Sequence, residues 1–272
     1  MTTPTRRPPS PGPIRCSANV HFLFGGQPLP DQLRAAAAAG FRTVELTDPW
    51  QLPPGELAGL LDGLGLRVDL FNLPFGDMAA GDRGYAADPA RRARFRDDVA
   101  RAVELAGRLG VRCVNALAGV RLPGLDADAQ LGCLRENLAF AAEAFAPVAT
   151  RGVTELLNPV ETPGFLLGSL ADVRAVLDPL AGAAGFQLDV YHLQRTRGEV
   201  IPAIRALADR TWHVQVADAP WRTEPGTGEL NIPNLLAEIV ATGYAHPVGL
   251  EYRPSGAGDP FAWMAAAGAV RA

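Results

Sequence analysis

The sequence predicts a single-domain (β/α)8 barrel of the TIM type, an α/β fold, and three observations carry that prediction. Short runs rich in β-branched and aromatic residues alternate with longer Ala/Leu/Arg segments of helical period, eight of each. Several of the helical segments end in glycine shortly before the next strand, in AAAG, GLG, RLG and ATG, as a helix C′ position entering a short turn favours. At 272 residues and 48% hydrophobic content the chain can bury one core of the size such a barrel needs.

In chain order the expected strands are 15–20, 43–46, 67–71, 113–117, 153–158, 186–190, 212–217 and 248–252. The expected helices are 30–39, 55–64, 90–109, 127–145, 169–177, 199–207, 234–241 and a last one near 260–270. Eight strand–helix pairs fit a closed barrel better than an open doubly wound sheet. Residues 1–14 hold five prolines and two arginines without an apolar stretch, so they are expected to be a disordered tail ahead of a barrel domain at 15–272.

Composition narrows the function. The net charge of −4 argues against a cationic face for a nucleic acid backbone. No run is long and apolar enough for a membrane span. All 25 basic residues are arginine, which excludes a Schiff-base lysine. The three cysteines, Cys16, Cys113 and Cys133, lack metal-site spacing, and an odd count without a signal sequence fits a reducing cytoplasm. A small-molecule substrate is the expected partner, with a homodimer or homotetramer left open.

In a barrel the C-terminal strand ends converge on one mouth. Glu45, Asn72, Asn115, Asn158, Asp189, Gln215 and Glu251 all fall there. Carboxylates at the ends of apolar strands carry a desolvation cost that a cation offsets. Asp189, Glu251, the Gln215 amide oxygen and one oxygen from the fifth strand make an oxygen-rich set suited to Mg²⁺ or Mn²⁺. A plain ion pair with arginine is the simpler alternative. His192, three residues after Asp189, is placed to donate to a substrate oxygen, whereas His213 suits packing or support of a neighbour. Arg222, in the long loop WRTEPGTGE, suits capture of a carboxylate, and its alternative is a solvated loop arginine. The GTG in that loop lacks the strand–glycine–helix context of a phosphate cradle.

With SANVHFLFG, FNLPFGDMAAGDRG, RFRDDVA, LDVYHLQR, HVQVADAPWRTEPGTGE and LEYRP, the chain resembles the hydroxypyruvate isomerase family, within the xylose isomerase-like barrels that include ketose 3-epimerases. The resemblance runs from about residue 15 to nearly the end. It implies a divalent metal held by a strand-five glutamate with Asp189, Gln215 and Glu251, the two glutamates serving as bases in an enediolate-type isomerisation. It also implies that His192 and Arg222 contact substrate, with Asn72 beside them.

Two departures are expected. Aligning the family's Glu-Pro-Ile-Asn with LLNP places its metal glutamate at Asn158, which would offer an amide oxygen instead. Glu161 then matches the family's substrate-contact acid and joins Glu251 as a catalytic candidate. Phe71 stands where the family commonly has histidine, giving an apolar substrate contact. The leading expectation is an isomerase acting on a small hydroxy-oxo acid or sugar-like substrate with Glu251 as base. A lyase, dehydratase or rearranging enzyme with an altered metal site, and a non-catalytic binding barrel, are the alternatives.

Overall fold

Eight parallel strands close into a ring: β1 (Ile14–Asn19), β2 (Thr43–Leu46), β3 (Arg67–Asn72), β4 (Cys113–Asn115), β5 (Arg151–Glu155), β6 (Gly185–Asp189), β7 (Thr211–Val216) and β8 (Val248–Leu250). They belong to a computed structural model that describes residues 12–272. Successive strands are neighbours, β8 pairs with β1, and Ala18 and Asn19 pair with Val44 and Glu45 to complete the ring. The expected (β/α)8 barrel is thus the observed fold. Most of the expected tail, residues 1–11, lies outside the described residues, and Ile14 already belongs to β1.

The helices are α1 (Val20–Leu23), α2 (Leu29–Ala38), α3 (Pro54–Leu64), α4 (Arg92–Leu109), α5 (Ala127–Phe145), α6 (Leu170–Leu177), α7 (Val190–Thr196), α8 (Val200–Ala206), α9 (Ile232–Ala241) and α10 (Trp263–Ala266). The glycines expected to close helical segments do adopt left-handed backbone, with φ of 91° at Gly40, 65° at Gly65, 63° at Gly110 and 90° at Gly243. No helix among the described residues is long and apolar enough to cross a membrane.

Three elements differ from the expectation. The last helix stops at Ala266, and Ala269–Arg271 forms a ninth strand, β9, parallel to β1. Its end wedges between β1 and β2, where the Ala272 carbonyl accepts the Arg42 and Thr43 N–H groups. Helices α1 and α7, too short to show a helical period, follow β1 and β6 directly. They are capped by the side chains of Asn19 and Asp189, residues that also face the barrel mouth.

Strand alternation sorts the side chains. Leu70, Cys113 and Val153, with Trp212 against them, form a small apolar cluster of their own, separate from the main core. The outward Phe71 and Val114 belong to the large core between strands and helices. Above the small cluster the barrel interior is polar, with Ser17, Glu45, Gln187, His213 and Gln215 all buried and hydrogen-bonded to one another across the strands.

Candidate active site

Three carboxylates converge at the mouth, each placed by a strand end. Glu155 is the last residue of β5, Asp189 the last of β6, and Glu251 follows β8. All three are buried. Glu155 accepts from Asn115 Nδ2 at 2.8 Å and Gln187 Nε2 at 2.9 Å. Glu251 accepts from Asn19 Nδ2 at 3.1 Å and Arg222 Nη2 at 2.6 Å. Asp189 uses Oδ1 to cap α7, taking the Tyr191 N–H at 2.8 Å, while its buried Oδ2 has no hydrogen-bond partner.

Burial and mutual repulsion set the charges. Glu155 is held well above the usual carboxylate range by desolvation, then by Glu251 and Asp189. Asp189 is raised by desolvation and by Glu251, against the opposing pull of Arg222. Hydrogen-bond donors alone do not balance this cluster. An unsatisfied carboxylate oxygen among three buried acids is the environment a divalent cation relieves, and oxygen donors suit a hard one. The residues present therefore fit such an ion.

Arg222 is the cation among these acids. Its Nη1 lies 3.2 Å from Glu161 Oε2, its Nη2 2.6 Å from Glu251 and 3.6 Å from Asp189 Oδ2. The guanidinium stacks over Phe22 and Tyr191 at 4.3 and 5.0 Å. Its backbone is left-handed, φ 59°, unusual for a side-chain-bearing residue. The loop imposes that geometry: Arg222 donates its N–H to the Asp218 carbonyl, and the Asp218 carboxylate accepts backbone N–H groups from Ala219, Gly226, Gly228 and Leu230. The glycine amides of GTG thus bind an internal carboxylate, consistent with the absence of a phosphate-cradle signature. Arg222 is not the solvated loop arginine of the alternative reading. Two carboxylates already engage it where a free substrate clamp was expected.

His192 is buried, with Nδ1 facing Asn158 and Nε2 3.6 Å from Asp189 Oδ2. The Asn158 backbone N–H donates to Nδ1 at 3.1 Å, and a backbone N–H can only donate. Nδ1 is therefore the acceptor and Nε2 carries the proton. Desolvation, then Arg222, pushes the ring well below its ordinary pKa and keeps it neutral. Although Glu155, Asp189 and His192 are close enough to share an ion, this tautomer makes His192 a donor and leaves coordination to the oxygens.

Asn158 does not occupy the position expected of it. Its Oδ1 accepts the N–H groups of Val160 and Glu161 at 3.1 and 3.0 Å, and its Nδ2 lies 2.8 Å from His192 Nδ1. That amide oxygen is committed to the turn after β5 and is not available to a metal. The strand-five glutamate is present as Glu155, so LLN in TELLN follows the strand end instead of containing it.

Phe71 is a second correction. It points out of the barrel, edge-on to Trp50 with ring centroids 5.8 Å apart, and is absent from the lining of the mouth. Its neighbour Asn72 does line the mouth, and the Asn72 Oδ1 is buried without a partner. The cavity there measures about 470 Å³, room for a small metabolite, with Asn72, Glu155, Glu161, His192, Arg222 and Glu251 in its wall. Gln215 lies beneath, its Oε1 accepting from Gln187 Nε2 at 2.6 Å. The structure thus brings together Glu161, Asp189, His192, Arg222 and Glu251, with Asn72 beside them and Gln215 joined to Glu155 through Gln187. Sequence reasoning missed Glu155 and Gln187, which strand parity counted on from Val153 and back from Asp189 would have exposed.

Comparison with known proteins agrees with this fold. The family model described as xylose isomerase-like TIM barrel matches residues 33–270. The 2-oxo-tetronate isomerase of Cupriavidus necator is 39% identical over 92% of this chain and 97% of its own length. The hydroxypyruvate isomerase of Escherichia coli is 38% identical over 89% and 94%. A solved structure named AP endonuclease, family 2, from Brucella melitensis superposes with a TM-score of 0.87 at 36% identity, over 93% of this chain and 98% of that one. The chain belongs to the xylose isomerase-like TIM barrel family, with hydroxypyruvate isomerase and 2-oxo-tetronate isomerase sequences as its relatives.

Proposed function

We propose that the chain is an isomerase that moves a proton between adjacent carbons of a small hydroxy-oxo acid, of the kind its relatives' names describe. The observation that carries this reading is the Asp189 Oδ2, buried without a hydrogen-bond partner among Glu155, Glu251 and the Nε2–H of His192. Glu251 is the base that takes the proton from the hydroxyl-bearing carbon. Glu251 then returns that proton to the neighbouring carbon, and Glu155, the carboxylate at the end of β5, passes the hydroxyl proton to the former carbonyl oxygen, so that both glutamates end ionised. His192 donates Nε2–H to a substrate oxygen, and Arg222 holds Glu161 and Glu251 in place while offsetting their charge. Glu155, Asp189, Glu251 and the Gln215 oxygen would hold Mg²⁺ or Mn²⁺. Such an ion, when bound, supplies an electrophile for the substrate carbonyl.

The altered-site and binding-barrel readings rested on a missing glutamate and an apolar substrate contact. Glu155 and the outward Phe71 remove both motives. A DNA substrate, the reading that the endonuclease name of the Brucella structure suggests, is disfavoured by the net charge of −4.

The test is proton NMR in D₂O with saturating Mn²⁺ or Mg²⁺, hydroxypyruvate and short 2-oxo hydroxy acids serving as substrates. Exchange of the carbon-bound proton with isomeric product of unchanged formula is expected, and Glu251→Gln should abolish it. Absence of exchange across these compounds would overturn the proposal, and a product of changed formula would replace it with a lyase or dehydratase.

A further inference from the structure

We propose that Glu45 is a positioning residue that decides which end of the Gln215 amide faces the carboxylate cluster. The inference rests on the reading of that cluster as a cation site. Glu45, on β2, is fully buried inside the barrel. Its Oε1 accepts the Ser17 hydroxyl at 2.8 Å and lies 2.8 Å from His213 Nε2, and its Oε2 accepts Gln215 Nε2 at 2.8 Å. The barrel makes room for it: a Cβ on Gly249 of β8 would lie 2.0 Å from Glu45 Oε1. Glycine there leaves the space that the carboxylate occupies.

A carboxylate only accepts, so Glu45 binds the nitrogen end of the Gln215 amide and turns the oxygen end away. That oxygen accepts from Gln187 Nε2 at 2.6 Å, and the same nitrogen reaches Glu155 Oε2 at 2.9 Å. The hydrogen-bonded chain therefore links Glu45 to the acid at the end of β5, with Gln187 Nε2 donating to both Gln215 and Glu155. An amide held by nothing presents NH₂ as readily as oxygen, and an NH₂ toward a cation repels it.

The carboxylate is itself anchored. Arg112 Nη2 lies 2.8 Å from His213 Nδ1 while Arg112 forms a paired contact with Asp69 at 2.7 and 2.9 Å. With its Nε2 2.8 Å from a carboxylate, His213 carries a proton on that nitrogen whether the ring is neutral or charged.

The experiment measures Mn²⁺ binding by calorimetry on the whole chain without substrate. Glu45→Gln keeps the shape and allows the Gln215 amide to turn over. It is expected to weaken Mn²⁺ by roughly 10- to 100-fold, the usual cost of losing such a supporting partner. The double swap Glu45→Gln with Gln215→Glu conserves charge and reverses the hydrogen bond, with position 45 donating to a carboxylate whose second oxygen remains free for the ion. It is expected to restore affinity to near the wild-type value, which a purely structural role for Glu45 would not do. If the single variant does not fold, the swap carries the test alone. Wild-type affinity in Glu45→Gln, or no recovery in the swap, would overturn the role of Glu45 and leave the site intact. Absence of Mn²⁺ binding by the wild type at millimolar concentration would instead remove the cation site, and this inference with it.

Discussion

The backbone N–H of Asn158 donates to His192 Nδ1 at 3.1 Å, and this bond fixes the histidine proton on Nε2, facing Asp189. Because the donor is main chain, the arrangement survives loss of the asparagine side chain. Asn158→Ala should keep the Nε2–H tautomer and lower kcat by about tenfold or less, the worth of the turn contacts it removes. Ring ¹⁵N shifts of His192 should show an unprotonated Nδ1 from pH 6 to 8 in both proteins. A protonated Nδ1 in the wild type would remove His192 as the donor to substrate.

Arg222 lies between Glu161 and Glu251, with both contacts at 3.2 Å or less. Taking away a buried charge while Glu251 and Asp189 stay buried beside it costs about 3–5 kcal/mol. Arg222→Met should therefore lower metal-free stability by an amount of that order, and Mn²⁺ should recover much of the loss by supplying the missing positive charge. Arg222→Lys should recover less activity than stability, since an ammonium cannot reproduce the forked contacts to two carboxylates. Chemical denaturation with and without Mn²⁺ separates these outcomes.

The fold was legible because each strand is bounded by turn residues and each major helix has a repeating apolar face. Gly40, Gly65, Gly110 and Gly243 mark helix ends by a conformation that other residues adopt at a cost. The site was legible wherever a single polar residue ended an apolar run, as at Asp189 and Glu251. It was misread on β5, where Leu156 and Leu157 extend the apolar run beyond the last ladder residue, Glu155. Hydrophobicity marks burial, and burial here continues past the strand. Parity is the stronger guide: Val153 belongs to the small interior cluster, so Glu155 faces the same way. The same rule turns Phe71 outward, between Leu70 of that cluster and Asn72 at the mouth. The ninth strand had no such signal, because AVR after Gly268 is too short to carry a period.

Metal binding and pH are linked through the raised acids. Glu155 and Asp189 bind more protons when folded than unfolded, so their contribution to metal-free stability is complete below the ordinary carboxylate range and is lost as pH rises through their folded pKa values. His192, depressed in the fold, has the opposite sign: its contribution is present above its ordinary value and lost as pH falls below it. His213 is raised by its flanking carboxylates against desolvation, the largest influence, and so shares the sign of the acids. Metal-free stability should therefore fall as pH rises above about 6.5, the ordinary histidine value. Binding an ion requires the acids to lose their protons, so the rise in Tm on adding Mn²⁺ should grow as pH rises through their folded pKa values. Neither histidine is an ion ligand in this arrangement, so the difference between metal-loaded and metal-free curves isolates the acids. A rise in Tm that is flat with pH would show that they are already ionised in the metal-free fold.

Gly249 supplies the last prediction, and it separates packing from chemistry. An added methyl would meet Glu45 Oε1 at 2.0 Å, a contact relieved only by moving a carboxylate held by Ser17, His213 and Gln215. Overpacking of this kind costs about 1–3 kcal/mol. Gly249→Ala should lose stability in that range and weaken Mn²⁺ together with it, because a displaced Glu45 releases the Gln215 amide. The control is Gly59→Ala in α3, an exposed helical position with nothing within 4 Å of the new methyl, where the change should leave Mn²⁺ binding alone and hold or raise Tm. If Gly249→Ala lost stability yet bound Mn²⁺ as the wild type does, the glycine would serve the packing of Glu45 and not the orientation of Gln215.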